Sequence, residues 1–295
     1  MELGFVSLVV ADLKRSRRFY EDVLGCTILA RSDDSVVLGG EHPLLLLTAR
    51  SSAPHRPERT TGLYHLALLL PGRVDLACAL LNLQERRYPL QGCEDHGISE
   101  AIYLADPDGN GIELYRDRPR SAWPWRNGRL EASEPSVPLY AENLLAELDG
   151  TAYAWCGLPP STRVGHVHLQ VADLIQCRAF YQELLGLEES ITGMSGACFF
   201  AANGYHHHIG CNVWMSRDAP PPPRDALGLR FFTVILPEHR QVVALASRVS
   251  AAGIEITQYA QSYLLRDPSQ NRILLTAESF QHGHEILALA GIADD

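Results

Sequence analysis

The sequence is short of positive charge, of paired cysteines and of any long uninterrupted apolar run. It carries 25 Lys and Arg against 35 Asp and Glu, for a formal charge of −10 and a pI near 5.6. Nucleic acid and anionic membranes both require a basic face, so neither is an expected partner. The seven cysteines (Cys26, Cys78, Cys93, Cys156, Cys177, Cys198, Cys211) are odd in number, scattered, and include no CxxC pair. That pattern reads as reduced cytosolic thiols. The longest apolar stretch, Leu63 to Leu83, is broken by His65, Pro71, Gly72, Arg73 and Asp75, which a membrane span tolerates poorly. The opening MELGFVSLVVADLKRS has no basic region before its apolar run and no small-residue cleavage site, so it is not read as a signal peptide. A cytoplasmic protein with a small, neutral or weakly acidic ligand is the expectation.

What is present is a repeat. Residues 6–25 read VSLVVADLKRSRRFYEDVLG and residues 167–186 read VHLQVADLIQCRAFYQELLG, with VADL, FY and LG each recurring 161 positions later. Each copy reads as an alternating strand, an Asp cap (Asp12 in the first) and a helix stopped by Gly. GLYHLALLLP from Gly62 is matched by GLRFFTVILP from Gly228, and DPDGNGIEL from Asp106 by DPSQNRILL from Asp267. Each half therefore holds two units of strand, helix and further short strands, four βαβββ units in all. A strand carrying VVLGGEHPLLLLTA (36–49) ends the first unit, and SSAPHRPERT is a polar connector.

With 46% hydrophobic and 20% charged residues, the 295-residue chain is long enough for two domains. The predicted boundaries are 1–116 and 163–277, with a proline-rich linker at 117–162 containing the helical stretch YAENLLAELDG, and a polar tail at 278–295.

Residues 61–116 put His65, His96, Tyr103 and Glu113 into strands of otherwise apolar residues. Burying such groups unpaired costs on the order of several kcal/mol. Read one at a time, each has a plainer explanation. Glu113, between Ile112 and Leu114, could be an outward carboxylate on an edge strand, and His65 a satisfied core histidine. Tyr103 and His96 could simply pack, and DPDGNG could be no more than a good hairpin turn. The run His206-His207-His208 in NGYHHHIGCNVW reads as the interior of a strand, with at least one imidazole pointing inward; the alternative is a surface metal trap.

Taken together, VADLxxxxxFYxxxLG, GLYHxALLLP and YLxDPDGNGIELYxDRP resemble the vicinal oxygen chelate superfamily, and within it bacterial two-domain proteins of the catechol 2,3-dioxygenase type. The resemblance covers nearly the whole chain. It implies an α+β fold in which βαβββ units pair into two cup-shaped mixed sheets, each cup able to hold a metal. Carried over by position, the first ligand falls at Phe5 and His166, the second at His65 and Phe231, and the third at Glu113 and Leu274. Neither half has a complete set. If unit two pairs with unit three, and one with four, then His65, His166 and Glu113 form a single site and the other cup is apolar. His168, on the same face as His166, is an alternative ligand.

By the same resemblance, the implied activity is an Fe(II)-dependent extradiol dioxygenase opening the ring of catechol or a substituted catechol with O2, as in aromatic catabolism. Mn(II) or another divalent metal is an alternative. His207 is assigned as acid and base; a one-residue slip would select His208, with Asn212 and Trp214 sharing its parity. Tyr103 and His96 are assigned to orient the substrate hydroxyls, although Glu94 departs from the family pattern, which expects a small or apolar residue or Asn there. The rival readings are a glyoxalase-like lyase or isomerase, and a metal-free protein that sequesters a small molecule. A homodimer is a further expectation.

Overall fold

The computed structural model describes all residues except 127–128, 132–136, 151–152, 154, 281 and 293–295, so parts of the expected linker and tail lie outside the described residues. The first unit is β1 (Glu2–Val10), α1 (Leu13–Arg18), β2 (Thr27–Arg31), β3 (Ser35–Gly39) and β4 (Pro43–Ala49). The second is β5 (Gly62–Leu69), α2 (Arg73–Glu85), β6 (Gly92–Asp95), β7 (Ser99–Ala105) and β8 (Gly111–Asp117). A connecting segment adds β9 (Trp125–Arg126), β10 (Arg129–Glu131), β11 (Val137–Pro138) and α3 (Ala141–Leu145). The third unit is β12 (Arg163–Gln170), α4 (Leu174–Cys177), β13 (Glu188–Thr192), β14 (Ala197–Ala201) and β15 (Ile209–Asn212). The fourth is β16 (Gly228–Ile235), α5 (His239–Ala251), β17 (Ile256–Tyr259), β18 (Ser262–Arg266) and β19 (Arg272–Thr276), followed by α6 (Gly283–Leu287).

The sheets do not follow the sequence halves. One runs β17-β18-β19-β16-β1-β4-β3-β2 and joins units one and four; the other runs β11-β6-β7-β8-β5-β12-β15-β14-β13-β10-β9 and joins units two and three. The central pairs β1/β16 and β5/β12 are antiparallel, and each is flanked by parallel pairs. The fold is α+β.

Alternation along these strands sorts the side chains. Leu66 and Leu68 of β5, Ile112 and Leu114 of β8, and Val167 and Leu169 of β12 enter the main core, together with Leu8, Leu45 and Leu47 of the other sheet. Their neighbours His65, Glu113 and His166 face the opposite side, into the cup. Asp12 caps α1 by accepting from the Arg15 amide at 3.0 Å. The helix then widens into a π turn over Phe19–Val23, which lets the adjacent Phe19 and Tyr20 both be buried. The third unit repeats the device over Arg178–Leu184, burying Phe180 and Tyr181. Tyr20 donates to the Asp106 carboxylate at 3.0 Å and Tyr181 to Asp267 at 2.9 Å. Each tyrosine thus ties a helix flanking one sheet to a DP turn of the other sheet.

Three expectations are corrected. Residues 36–49 form two strands, because the chain reverses at Gly40–His42; a Cβ on Gly39 would sit 2.1 Å from the His42 carbonyl oxygen. The segment after Asp117 does more than link, since β11 pairs with β6 and β10 with β13 at the margins of the larger sheet. The tail is not simply polar. Phe280, Ile286 and Ile292 are buried with Phe5, Phe231 and Leu274 and fill the cup of units one and four.

Candidate metal centre

The larger sheet brings its ligand candidates together through strand register. Glu113 of β8 lies beside Ala67 of β5, and Ala67 beside His166 of β12. Only a methyl group stands between the carboxylate and the imidazole, so the two longer side chains meet above it. His166 Nε2 is 2.9 Å from Glu113 Oε2. His65, further along β5, places its Nε2 3.0 Å from the same oxygen, without the alignment of a hydrogen bond. Among the described residues these three form the group whose ligand atoms lie within 4.8 Å of one another, and all three are buried. Ligands at right angles around an ion at about 2.1 Å stand about 3 Å apart, so this spacing suits a divalent cation. A buried imidazole nitrogen with no hydrogen-bond partner beside a shared carboxylate oxygen is the feature that fits metal coordination. Two imidazoles and one carboxylate on one side leave further positions open.

Electrostatics support an acceptor-rich centre. Burial alone would raise the Glu113 carboxyl, but the adjoining His166 and His65 imidazoles outweigh it and hold the group well below the usual carboxylate range. Burial pushes His166 down, partly countered by Glu113. Burial and then the His65 and His166 imidazoles push His168 well down. His168 lies directly opposite His65 in the strand ladder, with ring centroids 5.0 Å apart, but it is not one of the three converging groups. Its Nε2 has no hydrogen-bond partner, and its ring packs against Tyr64 and Trp214.

Tyr103 and His96 meet beside this centre. His96 Nε2 and the Tyr103 hydroxyl are 2.9 Å apart, and the Tyr103 ring lies 5.5 Å from that of His65. Glu94, the departure from the family pattern, stands 3.6 Å from His96 Nε2, so it serves as a carboxylate neighbour for that imidazole. Burial, then the Glu113 and Glu94 carboxylates, raise the Tyr103 hydroxyl well above its ordinary value.

The histidine run is not inside a strand. The chain turns at Asn203-Gly204, both at positive φ, and β15 begins only at Ile209, so His206, His207 and His208 sit in a buried approach to it. Strand alternation therefore does not govern them. His207 packs on His166 with ring centroids 4.1 Å apart and touches Phe199. His208 turns away to pack on Tyr205, and its Nδ1 accepts from the Ala202 amide at 3.3 Å. Asn212 is fully buried and accepts from the Trp214 amide, while the Trp214 ring lies half exposed against Tyr64. Burial, then the neighbouring His166 and His206, keep His207 well below the ordinary histidine value.

Sequence reasoning missed a chain of groups behind His207. His206 Nδ1 is 2.8 Å from His207 Nδ1, and His206 Nε2 is 2.8 Å from Asp117 Oδ1. Tyr205 donates to the other Asp117 oxygen at 3.0 Å and meets the Tyr115 hydroxyl at 2.9 Å. The available signal was parity: Glu113, Tyr115 and Asp117 alternate along β8 and so share a face.

Comparison with known proteins gives the family of the chain. The model of the Glyoxalase/Bleomycin resistance protein/Dioxygenase superfamily matches residues 2–114 and again residues 163–275. The chain belongs to this superfamily. One relative from it, the catechol-2,3-dioxygenase of Bacillus subtilis (strain 168), is 43% identical over 272 residues, covering 90% of this chain and 93% of the relative. Biphenyl-2,3-diol 1,2-dioxygenase 3 of Rhodococcus globerulus is 29% identical over 156 residues, 49% of this chain and 80% of its own. The crystal structure of glyoxalase I from Zea mays shares the superfamily fold, with a TM-score of 0.57 at 14% identity over 99% of this chain and 96% of that one. No helix among the described residues is long and apolar enough to cross a membrane.

Proposed function

We propose that the protein is an Fe(II)-dependent extradiol dioxygenase that opens the ring of catechol or a substituted catechol. The observation that carries this reading is the convergence of His65 Nε2, His166 Nε2 and Glu113 Oε2 on one buried point. The 43% identical catechol-2,3-dioxygenase supports the choice of chemistry. His65, His166 and Glu113 would hold the iron, which when bound supplies open positions for diol and O2 and a path for electrons between them.

The remaining steps belong to the chain. The Tyr103 hydroxyl and His96 orient the diol oxygens from the β6–β7 side. His207, kept neutral by burial, takes a proton from the diol and returns it after ring opening. Ala67, Leu69, Ala101 and Phe199 wall the cup and exclude water from the reacting centre. Two imidazoles and one carboxylate around a divalent ion leave a net charge of +1, which favours a chelating catecholate.

An anaerobic titration of the metal-free protein with Fe(II), read as bound iron per chain and followed by catechol and air, tests this reading. The expected result is one iron per chain and a yellow ring-cleaved product. One iron without O2 uptake would replace the dioxygenase by a lyase or isomerase of the same superfamily. No bound iron would favour a protein that sequesters its ligand.

A further inference from the structure

Resting on the proposed role of His207, we infer that Asp117, acting through His206, fixes the tautomer of His207 so that its Nε2 lone pair is available to the cup. Asp117 and His206 are positioning residues; neither touches the converging ligand atoms.

The hydrogen-bond chain allows one consistent assignment when both imidazoles are neutral. A carboxylate can only accept, so His206 must carry its proton on Nε2, the nitrogen 2.8 Å from Asp117 Oδ1. Its Nδ1 is then a bare acceptor. The partner of that nitrogen, 2.8 Å away, is His207 Nδ1, which must therefore be the donor. His207 is left with a proton on Nδ1 and none on Nε2. The hydrogen bond of the His207 ring described in the structure is at Nδ1, and the ring lies against His166. A carboxylate two rings away thus makes Nε2 a base.

The carboxylate itself is well held. Tyr205 donates to Asp117 Oδ2 at 3.0 Å, so the two Asp117 oxygens have separate partners and Oδ1 stays on His206. His206 is fully buried and packed between Trp123 and Tyr205, with ring centroids at 5.4 and 4.1 Å, so its ring cannot turn over freely. The Asp117 side chain is about a quarter exposed, which places the polar end of the chain at solvent and its basic end in the cup.

Selective ¹⁵N-histidine NMR on the metal-free protein reads these tautomers directly, with the signals assigned by their loss in His206→Asn and His207→Asn. His207 is expected as the Nδ1–H form and His206 as the Nε2–H form. In Asp117→Asn the amide can present an N–H to His206 Nε2, which moves the His206 proton to Nδ1 and inverts His207 to the Nε2–H form. Loaded with metal, that variant is expected to lose about 10²-fold or more in kcat with KM and metal stoichiometry little changed, and Asp117→Glu to recover much of the loss. Tyr205→Phe, which leaves the Oδ1 contact in place, should keep the wild-type tautomers.

An Nε2–H form of His207 in the wild type would overturn the inference, even if Asp117→Asn did not fold. So would a His207 tautomer indifferent to Asp117→Asn. Inversion of the tautomer in a protein that never cleaves catechol would sink the proposed activity and leave the positioning intact.

Discussion

The two cups have the same strand plan and opposite contents. In the cup of units two and three, equivalent strand positions hold His65, His166 and Glu113; in the cup of units one and four they hold Phe5, Phe231 and Leu274. The second set forms an edge-to-face aromatic cluster, Phe5 with Phe231 at 5.8 Å and with Phe280 at 5.5 Å, closed over by Ile286 and Ile292. The scaffold tolerates either filling. On the proposed reading a bound cation offsets the burial of the polar triad, whereas the apolar one is stabilised by packing, and the tail supplies the missing atoms.

The largest effect should come from making the polar cup resemble the apolar one. Glu113→Leu, or His166→Phe, is expected to abolish stoichiometric metal binding and lower turnover by at least about 10³-fold, as measured by bound iron and product formation. Near-normal iron in either variant would break the comparison. Next, Phe280→Ala should unseat the tail from the apolar cup and cost about 3 kcal/mol, seen as a lower urea midpoint, with turnover unchanged.

Acid should act on the polar side. Burial first, and then nearby positive charge, lowers His208 from 6.5 to about 4, so the unfolded chain takes up its proton at a higher pH than the native chain does. The stability this residue contributes is whole above about pH 6.5 and is lost as the pH falls towards 4. That corresponds to at most about 3 kcal/mol, and His208→Gln should flatten this part of a plot of urea midpoint against pH. The smallest expected change tests what the two halves share. Tyr20→Phe and Tyr181→Phe should each cost about 1–2 kcal/mol by leaving a buried aspartate oxygen short of a donor. Very different costs would mean that the two ties are not equivalent.

The repeat and the four units were legible because each rests on a local signal, a 161-residue offset or a period-two strand, whereas the three ligand candidates were reached by carrying the family resemblance over position by position. The histidine run misled. Its neighbours look like a strand, but the Asn203-Gly204 turn delays β15 until Ile209. The tail hid its purpose because Phe280, Ile286 and Ile292 fall at no helical or strand spacing; only the cavity they fill relates them. Asp117 reads as the first residue of a linker because Arg118 and Pro119 follow it, and its link to His206, 89 positions away, has no trace in local pattern.

Sheet order also bears on how the protein is made. β1 and β5 both belong to the first half of the chain, yet their antiparallel partners β16 and β12 are synthesised more than two hundred residues after β1 and about ninety after β5. Until then the nascent chain presents two open strand edges, the state most prone to mispairing with neighbours. His166 arrives with β12, so the site cannot assemble on the ribosome before the third unit emerges. A fragment ending at residue 116 would be an aggregation hazard rather than half an enzyme.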